Sequence, residues 1–249
     1  MILIEKRLIT HRIGKINPML ISDVLSLDGY DMLKKVLKMD RIDVIDEIEK
    51  SKLRGRGGGG FPVSIKIMAL AKEKDTPKYL ICNADEGEPG NFKDRYLLEN
   101  DPHLILEGML IAAYATHAQK GFVYIRGEFD QSIKTMKKAI NDMYEHNLLG
   151  EHILGSKFSF DIEIRSGAGS YVCGEEFALL ESIEGKPGRT RVKPPFPTSK
   201  GLFDQPTLIN NVETFATLPT IINMGGKAYS QIGTPSSTGT KLISLSGNI

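Results

Sequence analysis

A parallel α/β sheet with helices on both faces is the fold class this sequence predicts. Two observations carry it. Beyond residue 60, short apolar stretches suited to buried strands alternate with longer stretches of helical periodicity. The breaks between them carry turn and cap residues such as Asp101-Pro102, Asp130 and the paired asparagines Asn210 and Asn211.

Taken in order, residues 1–30 read as an extended lead-in with a turn at Asn17-Pro18. Helices follow in YDMLKKVLKM and in RIDVIDEIEKSKL, where Ile42, Ile45, Ile48 and Leu53 recur near helical spacing. Then comes GRGGGGF, with five glycines between residues 55 and 60. SIKIMALAKEK returns to helical spacing, with Ser64 placed to cap it. KYLICNADE reads as a buried strand running into an acidic loop. Asp101-Pro102 makes an N-cap and N1 pair for the apolar helix HLILEGMLIAAYATHA. GFVYIRGEF is a second strand, and Asp130 caps the helix after it. FDIEIRSG is a third strand, followed by GAGSYVCG and the helix EEFALLESIEG. A proline-rich loop over 186–201 leads to a helix, VETFATLPTIINMGG, begun by Asn210 or Asn211. KLISLSGNI reads as a new strand. The expected division is a helical N-terminal segment over 1–53, a main α/β domain over 54–232, and a linker with a first strand over 233–249.

Composition excludes several classes. A formal charge of +1 gives no electrostatic footprint for nucleic acid. Two cysteines, Cys82 and Cys173, cannot build a four-thiolate metal or cluster site, and no HxH or HxxxH spacing occurs. Reduced thiols fit a cytosolic protein. LILEGMLIAAYA is too short to span a bilayer and carries Glu107, so direct membrane insertion is not expected.

Four stretches look like parts of a site. Gly55, Gly57 and Gly60 match GxGxxG in form, but a helix and not a strand precedes them, so the usual dinucleotide fingerprint fails on context. Arg54, Arg56 and Phe61-Pro62 are not linker chemistry. Successive glycines allow close main-chain approach to a flat ring or a phosphate, and Lys66 can reach a phosphate as a point charge. In CNADEGEPGNFKDR, Asp85, Glu86 and Glu88 crowd a strand's C-terminal end, where open α/β sheets bind ligands; a solvated acidic turn is the plainer reading. In SGAGSYVCGEEF, Glu175 and Glu176 open a helix, which simple capping explains, and Cys173 suits packing better than nucleophilic chemistry. In INNVETFATLP, paired amides can read a heterocycle or cap a helix, and RTRVKPPFP adds Arg191, Lys193 and Phe196.

In series, GRGGGGFPVSIK, CNADEGEPGNFKDR, GAGSYVCGEEFALLESIEGKPG, VKPPFP and INNVETFATLP resemble the FMN-binding, NADH-oxidising subunit of respiratory complex I and its relatives in NAD-linked hydrogenases and formate dehydrogenases. RIGKINP and DGYDMLKKVL match too. The resemblance implies a Rossmann-like sheet holding non-covalent FMN, with Gly55, Arg56, Gly57, Lys66, Asn83, Asp85, Glu86, Tyr171, Gly174, Glu175, Asn210, Asn211 and Thr214 in contact with it. It implies NADH stacked over the flavin, with Phe61 on the adenine side and Glu88, Glu176 and Lys193 on the ribose, nicotinamide or phosphate parts. No protein nucleophile is implied, since hydride passes directly between cofactors. A thioredoxin-like [2Fe–2S] protein and other redox subunits are the implied partners, and the implied location is cytoplasmic or peripheral to a membrane complex.

Departures from the family pattern are specific. Ile67, Met68 and Ala69 stand where family members carry aromatics after the loop lysine, so part of the aromatic clamp is absent. Val63-Ser64 replaces Thr-Gly. Family members continue through a ubiquitin-like domain into a helical bundle holding a [4Fe–4S] cluster, whose ligands this sequence lacks; it reads as truncated in the first strand of that β-domain. Two other readings stand beside this one. One is a non-catalytic nucleotide-binding or assembly module. The other is a flavoprotein of the ferredoxin:NAD oxidoreductase type, against which the CGEE and NNVET runs argue.

Overall fold

The computed structural model describes residues 7–248, so the first six residues of the lead-in and Ile249 lie outside it. Four parallel strands form one sheet: β1 (Tyr79–Ala84), β2 (Lys120–Ile125), β3 (Asp161–Ser166) and β4 (Thr207–Asn211), in the order β3-β2-β1-β4. The chain steps outward from β1 to β3, then returns to the far side of β1. That reversal makes the carboxyl ends of β1 and β4 a topological switch point, the place where open α/β sheets bind ligands.

Strand alternation assigns the two faces. Leu80, Cys82 and Ala84 of β1, with Val123, Ile125 and Leu208, join the large core beneath α6 (Pro102–Thr116), α7 (Asp130–Glu145) and α9 (Val212–Met224). Ile81, Phe122, Tyr124 and Ile209 point the other way, into a smaller core with Phe177, Leu179 and Leu180 of α8 (Glu176–Ile183). Helices therefore cover both faces, as expected, though unequally.

Helix α6 is the pivot of the large core. Asp101 caps it by accepting from the Leu104 amide at 3.2 Å, and Pro102 occupies its first turn. Gly108 lets α9 approach closely: a Cβ there would lie 1.9 Å from the Phe215 carbonyl oxygen. Glu107, buried on the inner side of α6, accepts from the amides of Met32 and Leu33 at 3.0 and 3.1 Å. It thereby satisfies the first turn of α2 (Asp31–Val36). Arg12 joins Asp101 through two bonds of 2.9 Å, both groups buried. The N-terminal segment, with α1 (Ile21–Ser26) and α3 (Arg41–Ser51), is thus held to α6 by buried polar bonds as well as apolar packing. Among the described residues no helix is long and apolar enough to cross a membrane.

Several boundaries differ from the sequence reading. α4 (Val63–Lys72) starts after Pro62, whose backbone is extended, so Ser64 lies buried inside the first turn and caps nothing. Asp130 is the first residue of α7 and not its cap. The short helix α5 (Lys93–Asn100) interrupts the acidic loop and went unread, because eight polar-rich residues carry little periodicity. INN belongs to β4: its five residues pair with β1 from Tyr79↔Thr207 to Asn83↔Asn211, and Asn211, not Asn210, caps α9. A short helix α10 (Gly226–Tyr229) and a two-residue hairpin, β5 (Gly233–Thr234) with β6 (Ser237–Thr238), follow. Residues 241–248 form no strand; among the described residues no neighbouring strand lies alongside to complete a ladder. They instead bond to the first turn of α9 and to the acidic loop, Leu242 N to Glu213 and Ser244 Oγ to Asn91.

Candidate functional site at the strand ends

The glycine run is a closed loop between α3 and α4. Arg54 and Pro62 form an antiparallel bridge, the Gly55 amide donates to the Phe61 carbonyl at 2.8 Å, and Val63 N donates to Leu53 O at 3.0 Å. Arg54 Nε donates to Gly60 O at 2.7 Å, drawing the tip back on itself. Gly58 and Gly60 have φ of +104° and +60°, a region L side chains seldom adopt. Gly57 lies against the cap of α9: a Cβ there would sit 3.1 Å from Asn211 Cβ. The Arg56 amide donates to Thr214 Oγ1 at 3.0 Å. The loop is thus docked on the N-terminus of α9 and is not a tether.

The other expected residues gather around the same switch point. Asn83 and Asn211 are ladder neighbours on β1 and β4. Asn83 Nδ2 donates to Gly174 O at 2.9 Å, and Asn83 Oδ1 accepts from the Asp85 amide. Asp85 is nearly buried, and among the described residues neither of its carboxylate oxygens has a hydrogen-bond partner. Burial pushes its carboxyl up from the usual range, Arg126 pulls it back, and Glu128 pushes it further up. Asn210 Nδ2 is likewise buried and unpartnered among the described residues.

Some of the expected residues are already engaged. Lys66, foreseen as a free cation for a phosphate, donates to Glu176 Oε1 at 3.0 Å and to Ile209 O at 2.6 Å. Glu176 also receives Lys193 at 3.1 Å. Burial would raise the Glu176 carboxyl, but Lys66 and Lys193 outweigh it and hold it below its ordinary value. Glu175 caps α8, accepting from Phe177 N and Ala178 N, and also faces Lys193 at 3.3 Å. Glu86 accepts from the amides of Asp94 and Arg95, closing the first turn of α5; burial, then Asp94, raises its carboxyl. Tyr171 and Phe61 are exposed at the rim, and Tyr171 donates to Glu88 at 2.5 Å. Ile67, at one of the absent-aromatic positions, is fully buried in the core, so a side chain there faces away from the rim.

Lys93, Asp94 and Glu213 form a buried group that sequence reasoning missed. Lys93 pairs with Asp94 at 2.6 Å and Glu213 at 3.2 Å, while Asn211 Nδ2 donates to Asp94 at 2.6 Å. One cation serves two carboxylates. Burial works against the Lys93 charge, but Asp94 and Glu213 outweigh it and raise its pKa. The signal lay inside CNADEGEPGNFKDR and NNVET, where a lysine and carboxylates flank the chosen residues. Beside this group lies a cavity of about 310 Å³, lined by Arg54, Gly55, Arg56, Gly58, Lys93 and Glu213 and closed by residues from Ser236 to Leu242. Asp85 and Glu175 do not line it. They connect to the glycine loop through direct contacts: Gly57 on Asn211, Asn211 beside Asn83, Asn83 on Gly174, and a Gly174 Cβ position 3.7 Å from Asp85 O.

Residues 48–220 match the family model of the Nuo51 FMN-binding domain. The chain is 51% identical over 245 residues to the NADP-reducing hydrogenase subunit HndC of Solidesulfovibrio fructosivorans, covering 98% of this chain and 50% of that one. It is 43% identical over 247 residues to the mitochondrial NADH dehydrogenase [ubiquinone] flavoprotein 1 of Dictyostelium discoideum, covering 98% and 51%. A solved NAD+-reducing [NiFe]-hydrogenase in the air-oxidised state superposes with a TM-score of 0.78 at 37% identity, over 90% of this chain and 37% of that one. The chain spans about half the length of the curated relatives it matches. A glycine loop docked on a helix cap beside acidic strand ends, with this match across its core, makes the chain a member of the Nuo51 FMN-binding domain family.

Proposed function

We propose that this chain binds FMN without a covalent link and presents it to a reduced nicotinamide nucleotide, as the electron-entry domain of a larger redox complex. The observation that carries the reading is the pairing of a side-chain-free main chain docked on the α9 cap with unspent polar groups. At the switch point Gly57 leaves no Cβ over Asn211, while Asp85 and Asn210 hold buried polar atoms with no partner among the described residues. Buried polar atoms are nearly always hydrogen-bonded, so these point to a group outside the chain. A flavin fits their chemistry: its ring N–H can donate to Asp85, and its carbonyls can accept from Asn210. Arg56, buried with Nε and Nη1 unpartnered among the described residues, lines the adjoining cavity with Lys93. Arg56 suits the phosphate better than Lys66, whose charge Glu176 already takes up, or Lys93, whose charge Asp94 and Glu213 share. Lys66 more naturally fixes α4 and α8 to each other beside the ring.

When bound, FMN supplies the acceptor for a hydride, and the chain's part is position and charge. Asn83 and Gly174 tie β1 to the α8 cap, so the groups facing the ring sit on strand ends and not on free loops. Phe61, exposed on the glycine loop, Glu88 under Tyr171, and the Lys193–Glu176 pair stand at the rim where the nucleotide would lie. The family's ubiquitin-like and cluster domains, a [2Fe–2S] partner, and a division of this chain at residues 53 and 232 belong to the same proposal.

The test is direct. The purified chain given FMN should quench the flavin's fluorescence, turn yellow, and bleach anaerobically with NADH. The same assay with NADPH selects the nucleotide, since one relative is named for NADP and another for NADH. Flavin uptake without bleaching by either nucleotide would leave a binding module, and no uptake would remove the reading.

A further inference from the structure

The cavity of about 310 Å³ beside the glycine loop gathers more positive charge than the chain itself neutralises. Arg54, Arg56, Lys93 and Lys241 line it, against the one carboxylate of Glu213. Lys93 already pairs with Glu213 and Asp94. Arg54 and Arg56 are held by main-chain carbonyls, Gly60 O at 2.7 Å and Thr238 O at 2.6 Å, which fix a guanidinium without neutralising it. Arg56 is 6% exposed, and its Nε and Nη1 have no partner among the described residues. Lys241 is exposed, and its side chain makes no ion pair or hydrogen bond among the described residues. Like charges gathered around a void repel one another unless an anion fills it.

The wall that carries Lys241 is the segment after α10, and it is pinned on both sides of that residue. Thr238 Oγ1 donates to Ser51 O at 2.8 Å, and Gly239, with φ of +75°, lies against Tyr229 with no room for a Cβ. Leu242 N donates to Glu213 Oε1 at 2.9 Å. Ser244 Oγ accepts from the Phe92 amide at 2.9 Å and donates to Asn91 Oδ1 at 2.8 Å. The segment thus runs from the end of α3, past the first turn of α9, to the acidic loop. The main chain of Lys241 is placed between Thr238 and Leu242, although its side chain is free.

We infer that this cavity is a phosphate-ester site, with the buried guanidinium of Arg56 as its inner cation and Lys241 as its outer one. A phosphate monoester suits it better than a carboxylate does. The ester brings close to two negative charges and three strong acceptor oxygens. Those oxygens can take the two orphaned groups of Arg56, the ammonium of Lys241 and the hydroxyls of Ser236 and Ser237 on the same wall. Assigning the ester to the flavin rests on the flavin reading above; inorganic phosphate tests the cavity without it.

The experiment compares FMN with riboflavin, which has the same ring and ribityl chain but no phosphate. Binding is read by flavin fluorescence quenching in phosphate-free buffer. A single pH of about 8 keeps the phosphate a dianion throughout. If the flavin's own phosphate fills the cavity, the unaltered chain holds FMN more tightly than riboflavin, and added inorganic phosphate competes with FMN but not with riboflavin. Lys241→Met then weakens FMN about tenfold and leaves riboflavin unchanged. Lys241→Glu weakens FMN further, and Lys241→Arg keeps most of the affinity. If a separate phosphate fills the cavity, calorimetry shows inorganic phosphate binding alongside FMN, and Lys241→Met weakens the phosphate and not the flavin. Either pattern sustains the site. Equal losses of FMN and riboflavin in Lys241→Met would overturn it. So would FMN and inorganic phosphate both binding as before in Lys241→Met and Lys241→Glu. Lys241 is exposed, so its variants should fold as the unaltered chain does. If the unaltered chain takes up neither flavin, the flavin reading falls alone, since the response of inorganic phosphate binding to Lys241→Met still decides the cavity.

Discussion

Two buried polar clusters, one around α6 and one at the strand ends, are built differently. Under α6, Asp101 receives Arg12 twice and the Leu104 amide, Glu107 receives two amides of α2, and Tyr30 meets His103 Nδ1 at 2.7 Å. Its carboxylates are satisfied within the chain, and of its members His103 alone keeps a buried atom, Nε2, with no partner among the described residues. At the strand ends, Asp85, Asn210, Arg56 and Arg126 all keep buried atoms with no partner among the described residues. A satisfied cluster holds the fold, and an unsatisfied one waits for a ligand. Each cluster also stands beside a glycine of close approach. Gly108 abuts the backbone of α9, which cannot yield, whereas Gly57 abuts the side chain of Asn211.

The comparison breaks first at the glycines. Gly108→Ala would drive a methyl into the Phe215 carbonyl, and α6 and α9 would have to separate. Overpacking against backbone costs more than about 3 kcal/mol, so the variant should lose cooperative unfolding in a denaturant titration. Arg12→Ala should come next. It leaves the Asp101 carboxylate buried and unpaired, which costs about 3–5 kcal/mol, read as a large drop in the denaturation midpoint. FMN uptake by the folded fraction should stay as it was. Gly57→Leu should cost less, about 1–3 kcal/mol, since Gly57 has ordinary φ and the added Cβ meets Asn211 Cβ at 3.1 Å and not a backbone carbonyl, but flavin uptake should fall by more than about tenfold. If Gly57→Leu binds FMN normally, the glycine loop is not the floor of the site.

This contrast explains what the sequence disclosed. β1, β2 and β3, α6 with its Asp101-Pro102 start, and α8 were legible because burial imposes periodicity and caps carry fixed residue types. The site stretches were legible as glycine and carboxylate clusters, because close approach and strand-end acidity use few residue types. What escaped were relations across distance. Nothing local marks Lys93 as the partner of Glu213, or Arg126 as the neighbour of Gly87, because each pair meets only in the folded chain. Lys66 shows the opposite failure: its type was read correctly and its partner was not, since Glu176 lies 110 residues away. β4 escaped because its five residues, which follow Pro206 and end on the capping Asn211, look like a helix start.

The smallest expected effect sharpens the contrast most. Burial raises the Glu107 carboxyl from 4.5 to about 7, and burial lowers the His103 imidazole from 6.5 to about 4. Between its two values Glu107 binds more proton folded than unfolded, so its contribution to stability falls as pH rises through that window. His103 binds more proton unfolded than folded between its own two values, so its contribution rises with pH. Where the windows overlap, from 4.5 to 6.5, the slopes are opposite and nearly equal. These two groups should therefore leave the stability of the unaltered chain almost flat there, with other carboxylates supplying what slope remains. Glu107→Gln removes one side of the balance. Its stability should then fall on acidification below 6.5 by up to about 1.4 kcal/mol per pH unit relative to the unaltered chain. His103→Gln should show the opposite tilt, gaining stability as pH falls from about 7 toward 4.5. Denaturant titrations at a few pH values measure both. Tilts of the same sign in the two variants would mean that the cluster under α6 does not titrate as two opposed buried groups, and the division between a self-balanced fold cluster and a ligand-seeking site cluster would lose its electrostatic half.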